Sequence, residues 1–368
     1  YFKGGNNFNS VIGASIIIWG IYFIVLKGVK GATSLNVIGT IGKLVPIVIF
    51  LFILAFVFKL TYFTTNIWGN EAIKAVSDKP LGSILNQVKG TMLVTLWVFI
   101  GIEGAVVVSD RAKSQAIVGK ATLLGFLSAL ILYVLISLLP LGSYSQGEIS
   151  VMAAPSTGAV LGGIVGKWGE WLMNFGVIIS TLSSWLVWTI MLAELPYAAA
   201  KAGTFPKAFA QANKNDSPKY SLLVSSIIMQ VIMFLVYFAN NAWNLMLSIT
   251  GVMVLPCYII CCAFLWKIAA TNDNYPKDIF ATRINAEITG VLGTVYGFWL
   301  VYAAGIHYML IAAVIYSFGI PFYMKARKEN DPTKTEFTTD ERVLATILVV
   351  LGIIGIIYLY FNHAALIG

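Results

Sequence analysis

Charge is scarce in this chain, and most of it is confined to short stretches between long uncharged ones. Only 11% of its 368 residues are Asp, Glu, Lys or Arg, against about a quarter in a soluble globular domain. Histidine is rarer still: His307 and His363 are the only two, and both fall near the ends of apolar runs. No aspartate lies in the middle of such a run. An intramembrane hydrolase needs a nucleophile with its base, or a pair of aspartates, at membrane depth, and a zinc site needs clustered nitrogen or sulfur ligands. Both shortages argue against an enzyme, and no metal or cofactor is expected. Cys257, Cys261 and Cys262 share one run at helical spacing, which suits packing and offers no disulfide framework. Repeated polar filter segments, expected of a channel, are also lacking. The hydrophilic tracts "KIAATNDNYPKDIFATR" and "KARKENDPTKTEFTTDER" carry no catalytic motif.

What fills the chain is hydrocarbon: 58% of residues are hydrophobic and the mean hydropathy is +0.84. Several runs reach about 20 residues, the length that crosses a bilayer core as a helix. The fold class expected is therefore an all-α polytopic membrane protein. Ten spans are predicted, over about 8–26, 33–58, 90–109, 118–140, 168–199, 221–239, 243–266, 286–304, 306–324 and 343–361. Loops on the odd side hold Lys27 and Lys30; Arg111, Lys113 and Lys120; Lys201, Lys207, Lys214 and Lys219; Lys267, Lys277 and Arg283; and Lys325, Arg327, Lys328, Lys334 and Arg342. These are seventeen of the 24 basic residues, so the positive-inside bias puts the odd side in the cytoplasm. The even side holds only Lys59, Lys74, Lys79, Lys89 and Lys167. Four of those fall in residues 59–89, a stretch with Glu71 and Asp78 that reads as an interfacial extracellular segment. The net charge of +8 is thus a topology signal, and no nucleic-acid partner is expected.

Charges left inside spans form the functional shortlist, because burying one costs several kcal/mol unless it is paired or lines a wet cavity. They are Lys43, Glu103 and Glu194. Lys43 lies in "TIGKLVPIVIF", too deep to snorkel comfortably; it reads as a fixed internal cation or a proton-exchanging group, or else as a lysine at a wet helix end. Glu194 directly precedes Leu195 and Pro196, where an interfacial or kink-stabilising role competes with one in transport. Glu103 lies in "LWVFIGIEGAVVVSD". On an unbroken helix Trp97 and Glu103, six positions apart, would point about 120° away from each other. Gly101 and Gly104 lift that restriction, since glycine tolerates the backbone angles that unwind a helix, and discontinuous helices are where many transporters build midplane sites. The plain alternative is a protonated acid hydrogen-bonded between helices, with the glycines serving close packing.

These residues carry a resemblance. "TLWVFIGIEGAVVVSDRAK" and "ISTLSSWLVWTIMLAELPYAAAKAGTFPKAFAQANKNDSP" resemble the sixth and eighth transmembrane regions of the amino acid, polyamine and organocation transporter superfamily. Within it the basic amino acid/polyamine antiporters are the nearest likeness, the arginine/ornithine type above all. The resemblance implies a fold of two inverted five-helix repeats followed by peripheral helices. On this chain that means the end of the first repeat over 1–58, the extracellular segment 59–89, the second repeat over 90–267 and peripheral helices over 268–368. Counted against the family, the first span is the fourth, so three helices are expected ahead of Tyr1. That residue is not an initiator methionine, and no signal-peptide pattern follows it.

The resemblance also implies roles. Trp97 matches the aromatic that lines or caps the substrate side chain, and Ile100 a neighbouring pocket position. Glu103 matches the acid that couples occupancy to gating, and Trp188 the eighth-helix aromatic against the substrate's aliphatic part. Lys43 resembles a fifth-helix lysine that stands where sodium-dependent members hold sodium, with Ser184 where that place meets the eighth helix. Ser248 and Thr250 add polar contacts from the tenth helix. Cys257, beside Pro256, departs from antiporters that carry tyrosine there. A cationic amino acid suits this set, since the faces of Trp97 and Trp188 can each hold a guanidinium or ammonium for about 0.5 to 2 kcal/mol. The expected function is secondary transport by alternating access in a bacterial plasma membrane, exchanging a cationic amino acid for a related amine or amino acid, of the arginine/ornithine type. Agmatine, cadaverine and histamine pairings, proton-coupled uptake, and a transporter-like nutrient sensor stand as alternatives. The lipid bilayer is the surrounding partner, and a homodimer is compatible with all of this.

Overall fold

The apolar runs become helices whose ends fall where the flanking chemistry changes. The computed structural model describes residues 7–65, 67–68, 80, 82–107, 115–238, 242–271, 282–330 and 337–361. Glu71, Lys74, Asp78, Lys79, Arg111, Lys113, Lys277, Lys334 and His363, used above, lie outside them. In chain order the helices are α1 (Phe8–Leu26), α2 (Val29–Val57), α3 (Leu60–Thr64), α4 (Ile84–Phe99), α5 (Gly104–Val107), α6 (Gln115–Leu138), α7 (Gln146–Ser150), α8 (Ser156–Val165), α9 (Lys167–Lys201), α10 (Lys219–Val236), α11 (Ala242–Thr271), α12 (Arg283–Ala304), α13 (Ile306–Ser317), α14 (Gly319–Asn330) and α15 (Thr339–Phe361).

Among the described residues, eight helical stretches are long and apolar enough to cross a bilayer. Two of the ten predicted spans are not among them, for different reasons. Residues 90–109 are divided between α4 and α5. The other is α10, an apolar helix shorter than those eight.

The chain forms two compact units. The first comprises Tyr1–Leu26, Lys89–Thr122 and Met191–Gly368; the second comprises Lys27–Val88 and Leu123–Ile190. In the second, the fully buried Phe50 and Leu54 of α2 meet Val160 and Leu161 of α8 and Met173 of α9. Along the rest of α2 the contact with α9 is made by small residues. A Cβ on Gly39 would lie 2.5 Å from Ser183 Oγ, one on Gly42 3.0 Å from Ile179, and one on Gly176 2.8 Å from Pro46. Positions 39, 42 and 46 ascend as 183, 179 and 176 descend, so the two helices run antiparallel with backbones in close approach. Lipid supplies no hydrophobic drive between helices, and such close packing takes its place. Ser183 Oγ donates to Asn36 Oδ1 at 2.9 Å across the same seam.

The first unit uses the same device between α11 and α12. A Cβ on Gly290 would fall 2.6 Å from the backbone nitrogen of Trp266, one on Gly293 2.6 Å from Cys262 Sγ, and one on Gly297 would overlap Ile259. Cys262 is therefore a packing residue, as its spacing suggests. Gly352 and Gly355 of α15 pack likewise on Ser317 and on the Leu310 carbonyl of α13. Between α1 and α10, Trp19 Nε1 donates to Gln230 Oε1 at 3.2 Å and Gln230 Nε2 donates to Ser15 Oγ at 2.8 Å. At the α1 C-terminus the carbonyls of Val25 and Leu26 accept from Ser217 Oγ and Asn213 Nδ2, both at 2.7 Å. Two orphan carbonyls of a helix end thereby gain partners.

Proline inside a span frees carbonyls that hydrocarbon cannot satisfy. Pro196 lies within α9, and its missing N–H leaves the Leu192 carbonyl open while its ring disturbs the next. Ser225 Oγ donates to Leu192 O at 3.1 Å and Ser221 Oγ to Ala193 O at 2.6 Å, so α10 repairs the kink. Ser221→Ala is expected to destabilise the folded protein by about 0.6 to 1.7 kcal/mol, the range for intramembrane hydrogen bonds, measured by unfolding in mixed micelles. In α11, Pro256 is answered by Tyr316, whose hydroxyl donates to Met253 O.

Outside the spans, Ser145 caps α7. Its Oγ accepts from Glu148 N at 3.3 Å, and Glu148 Oε2 accepts from Ser145 N and Oγ at 2.8 Å each. Those bonds, the backbone one foremost, hold the Glu148 carboxyl below the usual carboxylate range. A carboxyl lowered by folding stabilises the fold above its unfolded pKa and loses that effect as pH falls through its folded one. Amide exchange over 146–150, corrected for intrinsic rates, should accelerate as pH drops below the ordinary carboxylate range, and Glu148→Leu should abolish that dependence.

Candidate functional site

At the end of α4 the helical ladder gives way. From Ile100 the backbone closes three-residue turns: Ile100 N to Trp97 O at 3.1 Å, Ile102 N to Phe99 O at 3.3 Å, Gly104 N to Gly101 O at 3.0 Å and Val106 N to Glu103 O at 2.8 Å. Gly101 takes φ +106°, a conformation that L side chains rarely adopt, so glycine is required here for its backbone freedom. Gly104 serves a different end. A Cβ there would stand 3.2 Å from Met191 Sδ, so it admits a close neighbour.

Unwinding exposes amides, and Glu103 answers one of them. Its Oε2 accepts from Gly101 N at 2.9 Å and from the Tyr258 hydroxyl of α11 at 3.0 Å. One carboxylate oxygen thus closes the break upon itself and ties it to a helix 155 positions away in sequence. Glu103 is half-buried, as are Trp97 and Ile100 on the last turn of α4 and Gly101 and Gly104 on either side. The Glu103 side chain joins the unwound turn and α11 through a single oxygen.

Tyr258 was not singled out from the sequence. The signal available was a tyrosine inside an apolar run two residues past Pro256, where Cys257 drew notice instead. Cys257 is exposed, and the residue next to it makes the bond. Ser248 and Thr250 lie on the same helix, the first half-buried and the second exposed.

Trp188, Lys43 and Ser184 belong to the second unit. Trp188 is 37% exposed on α9. Lys43 is half-buried and lines a cavity of about 160 Å³ with Pro46, Ile47 and Phe50 of α2, Ile136 of α6, Thr157 of α8, and Met173 and Ser180 of α9. Ser180, not Ser184, supplies the α9 hydroxyl beside Lys43, and Ser183 supplies the bond to α2. Positions 176, 180 and 183 share a helical face, and 184 stands a further 100° around it. Glu194, in the first unit, is buried beside the Pro196 kink.

A family model described as "Amino acid permease" matches residues 2–351. The chain belongs to the amino acid permease family. This permease is 61% identical over 360 residues to a putative amino-acid transporter of Clostridium perfringens, a match covering 98% of the chain and 75% of the relative. It is 52% identical over 356 residues to an arginine/agmatine antiporter of Chlamydia abortus and 53% identical to one of Chlamydia felis, each match covering 97% of the chain and 73% of the relative. The permease is thus a polytopic helical transporter of the superfamily that its sixth- and eighth-helix wording resembles, and it is a multi-pass protein of a bacterial plasma membrane.

Proposed function

We propose that this permease exchanges a cationic amino acid for the corresponding amine, with arginine against agmatine as the pair. The observation that carries the reading is the Glu103 carboxylate bonded at once to Gly101 N and to the Tyr258 hydroxyl. It makes the break in one helix and the hold on another a single electrostatic unit beside Trp97. Agmatine takes precedence over ornithine because relatives at about half identity carry that pairing in their names.

An exchanger's loaded site must reorient more readily than its empty one, so the ligand must stabilise the intermediate more than its absence does. With the site empty, the Glu103 carboxylate is held open at the break by Tyr258 and Gly101. An arriving cation offers it a stronger partner, which frees the Tyr258 hydroxyl and lets α4 and α11 move independently. The face of Trp97 supplies a weak second contact, and Ile100 an apolar wall. Ser248 and Thr250 act as polar contacts from α11, and within the second unit Lys43, beside Ser180, acts as a fixed internal cation. The repeat organisation belongs to this reading too: the first repeat ends at 58, the second covers 90–267, and 268–368 is peripheral.

Counterflow in proteoliposomes tests it. Labelled arginine should enter vesicles loaded with agmatine at least about tenfold faster than empty ones, and faster than ornithine-loaded ones. Uptake into empty vesicles driven by a proton gradient would overturn exchange, and strict dependence on ornithine, cadaverine or histamine would overturn the pair. Arginine binding without flux would identify a sensor.

A further inference from the structure

Away from the break, α4 touches α12 at two points, Lys89 and Met92. The Lys89 ammonium stands 4.3 Å from the centroid of the Tyr302 ring, well within the distance at which a ring quadrupole attracts a cation. Less than one turn further along α4, the Tyr296 hydroxyl donates to Met92 Sδ at 3.9 Å. Tyr296 stacks on Trp299, with ring centroids 6.1 Å apart and planes inclined by 17°. Tyr296 and Tyr302 of α12 therefore both meet α4, at Met92 and Lys89. Lys89 is half-buried there, whereas Tyr302 is 68% exposed. One face of the ring is taken by the ammonium, and the ring is open to the surrounding medium.

The two helices differ in how firmly they are held. α12 is locked to α11 by close backbone approach at Gly290. α4 ends at Phe99, two residues before Gly101, whose backbone only glycine adopts easily. A movement at the break would therefore carry α4 across a stationary α12, and the contacts at Lys89 and Met92 would have to part. A cation over an exposed ring is held weakly and exchanges with other cations of similar hydration.

We propose that the Tyr302 face is a peripheral site for a monovalent organic cation of guanidinium or alkylammonium type. Lys89 occupies it as a tethered surrogate, and an arriving cation that displaces Lys89 unlatches α4 from α12. The positive-inside bias puts this end of α4 outside the cell. The class of cation rests on the proposed function: cargo and latch are the same chemistry, so an external cargo molecule would release the half-helix before reaching the break.

The test separates the two. Nitroxide labels are placed through Gly90→Cys, where the space around the residue is open, and Phe298→Cys, on the exposed side of α12, in protein whose three native cysteines are replaced by alanine. Distance distributions are recorded in lipid nanodiscs against ethylguanidinium chloride, a probe with no carboxylate to transport, and against equal sodium chloride. The wild type and Tyr302→Phe should show a short-distance population that yields saturably to a longer one with ethylguanidinium and not with sodium. Lys89→Gln and Tyr302→Leu should favour the longer population without any probe, by about two- to fivefold for a contact of this strength. The double variant should add little, as for two residues of one contact. A Lys89→Gln distribution identical to the wild type would leave Tyr302 as a membrane-interface anchor and overturn the proposal. So would an equal response to ethylguanidinium in Tyr302→Leu. Counterflow can fail while this titration succeeds, and the reverse, so the fate of each reading is legible on its own.

Discussion

Gly101→Val is expected to lower arginine counterflow by one to two orders of magnitude while the protein still reaches the membrane. Gly101 sits at φ +106°, where a β-branched side chain is a genuine outlier. Holding a residue in such a region costs about 1–3 kcal/mol, and each 1.4 kcal/mol is about tenfold in an equilibrium. The chain can escape that cost by rewinding the turn. Rewinding withdraws Gly101 N from the Glu103 carboxylate, which is the bond that holds the break open. The loss should therefore appear in maximal rate more than in the amount of folded protein. Gly104→Ala separates conformational freedom from space: it adds a Cβ 3.2 Å from the flexible Met191 side chain, so the neighbour can give way and the loss should be much smaller. Equal losses at the two glycines, or none at Gly101, would mean that the break is not glycine's doing.

Gly290→Ala is expected to be the most damaging single methyl in the first unit. Its Cβ would lie 2.6 Å from the Trp266 backbone nitrogen and 2.8 Å from its Cα. Backbone atoms cannot swing aside as a side-chain end can, so α11 and α12 must separate along their length. Overpacking a tight contact costs about 1–3 kcal/mol. The helix gain from alanine, up to about 1 kcal/mol, offsets part of it. Gly20→Ala provides the control, because nothing lies within 4 Å of its Cβ position, and it should be neutral or slightly stabilising. Unfolding midpoints in mixed micelles should order the two variants on opposite sides of the wild type.

The membrane itself explains why so much of the fold was legible. Hydrocarbon forces every backbone group into a helix, so an apolar run states both element and approximate length; the first span was expected at 8–26 and is α1. The break was legible for a related reason. An acid between two glycines inside such a run conflicts with an uninterrupted helix, and the conflict is resolved by unwinding at Ile100–Glu103. Partners were harder. Tyr258 and Glu103 meet across 155 positions, and no local pattern on α11 reveals which way that tyrosine faces. Helix faces advance by about 100° per residue, so an error of one position decides whether Ser183 or Ser184 turns toward α2. The missing partner for Leu192 O, created by Pro196, is predictable from sequence; that Ser225 of α10 supplies it is a matter of packing.

The claim at the centre is that Glu103 and Tyr258 act as one unit in coupling occupancy to movement, and a double-mutant cycle on exchange addresses it most directly. Counterflow rates are measured for Glu103→Gln, Tyr258→Phe and the double variant in proteoliposomes of matched protein content. Tyr258→Phe removes the donor of the bond at 3.0 Å and Glu103→Gln takes the charge from its acceptor, each while preserving shape. Both should slow exchange, and the double variant should be no slower than the worse single, since the second change has no bond left to remove. Rates that multiply, so that the double variant is slower by the product of the two single losses, would contradict coupling between the carboxylate and the hydroxyl.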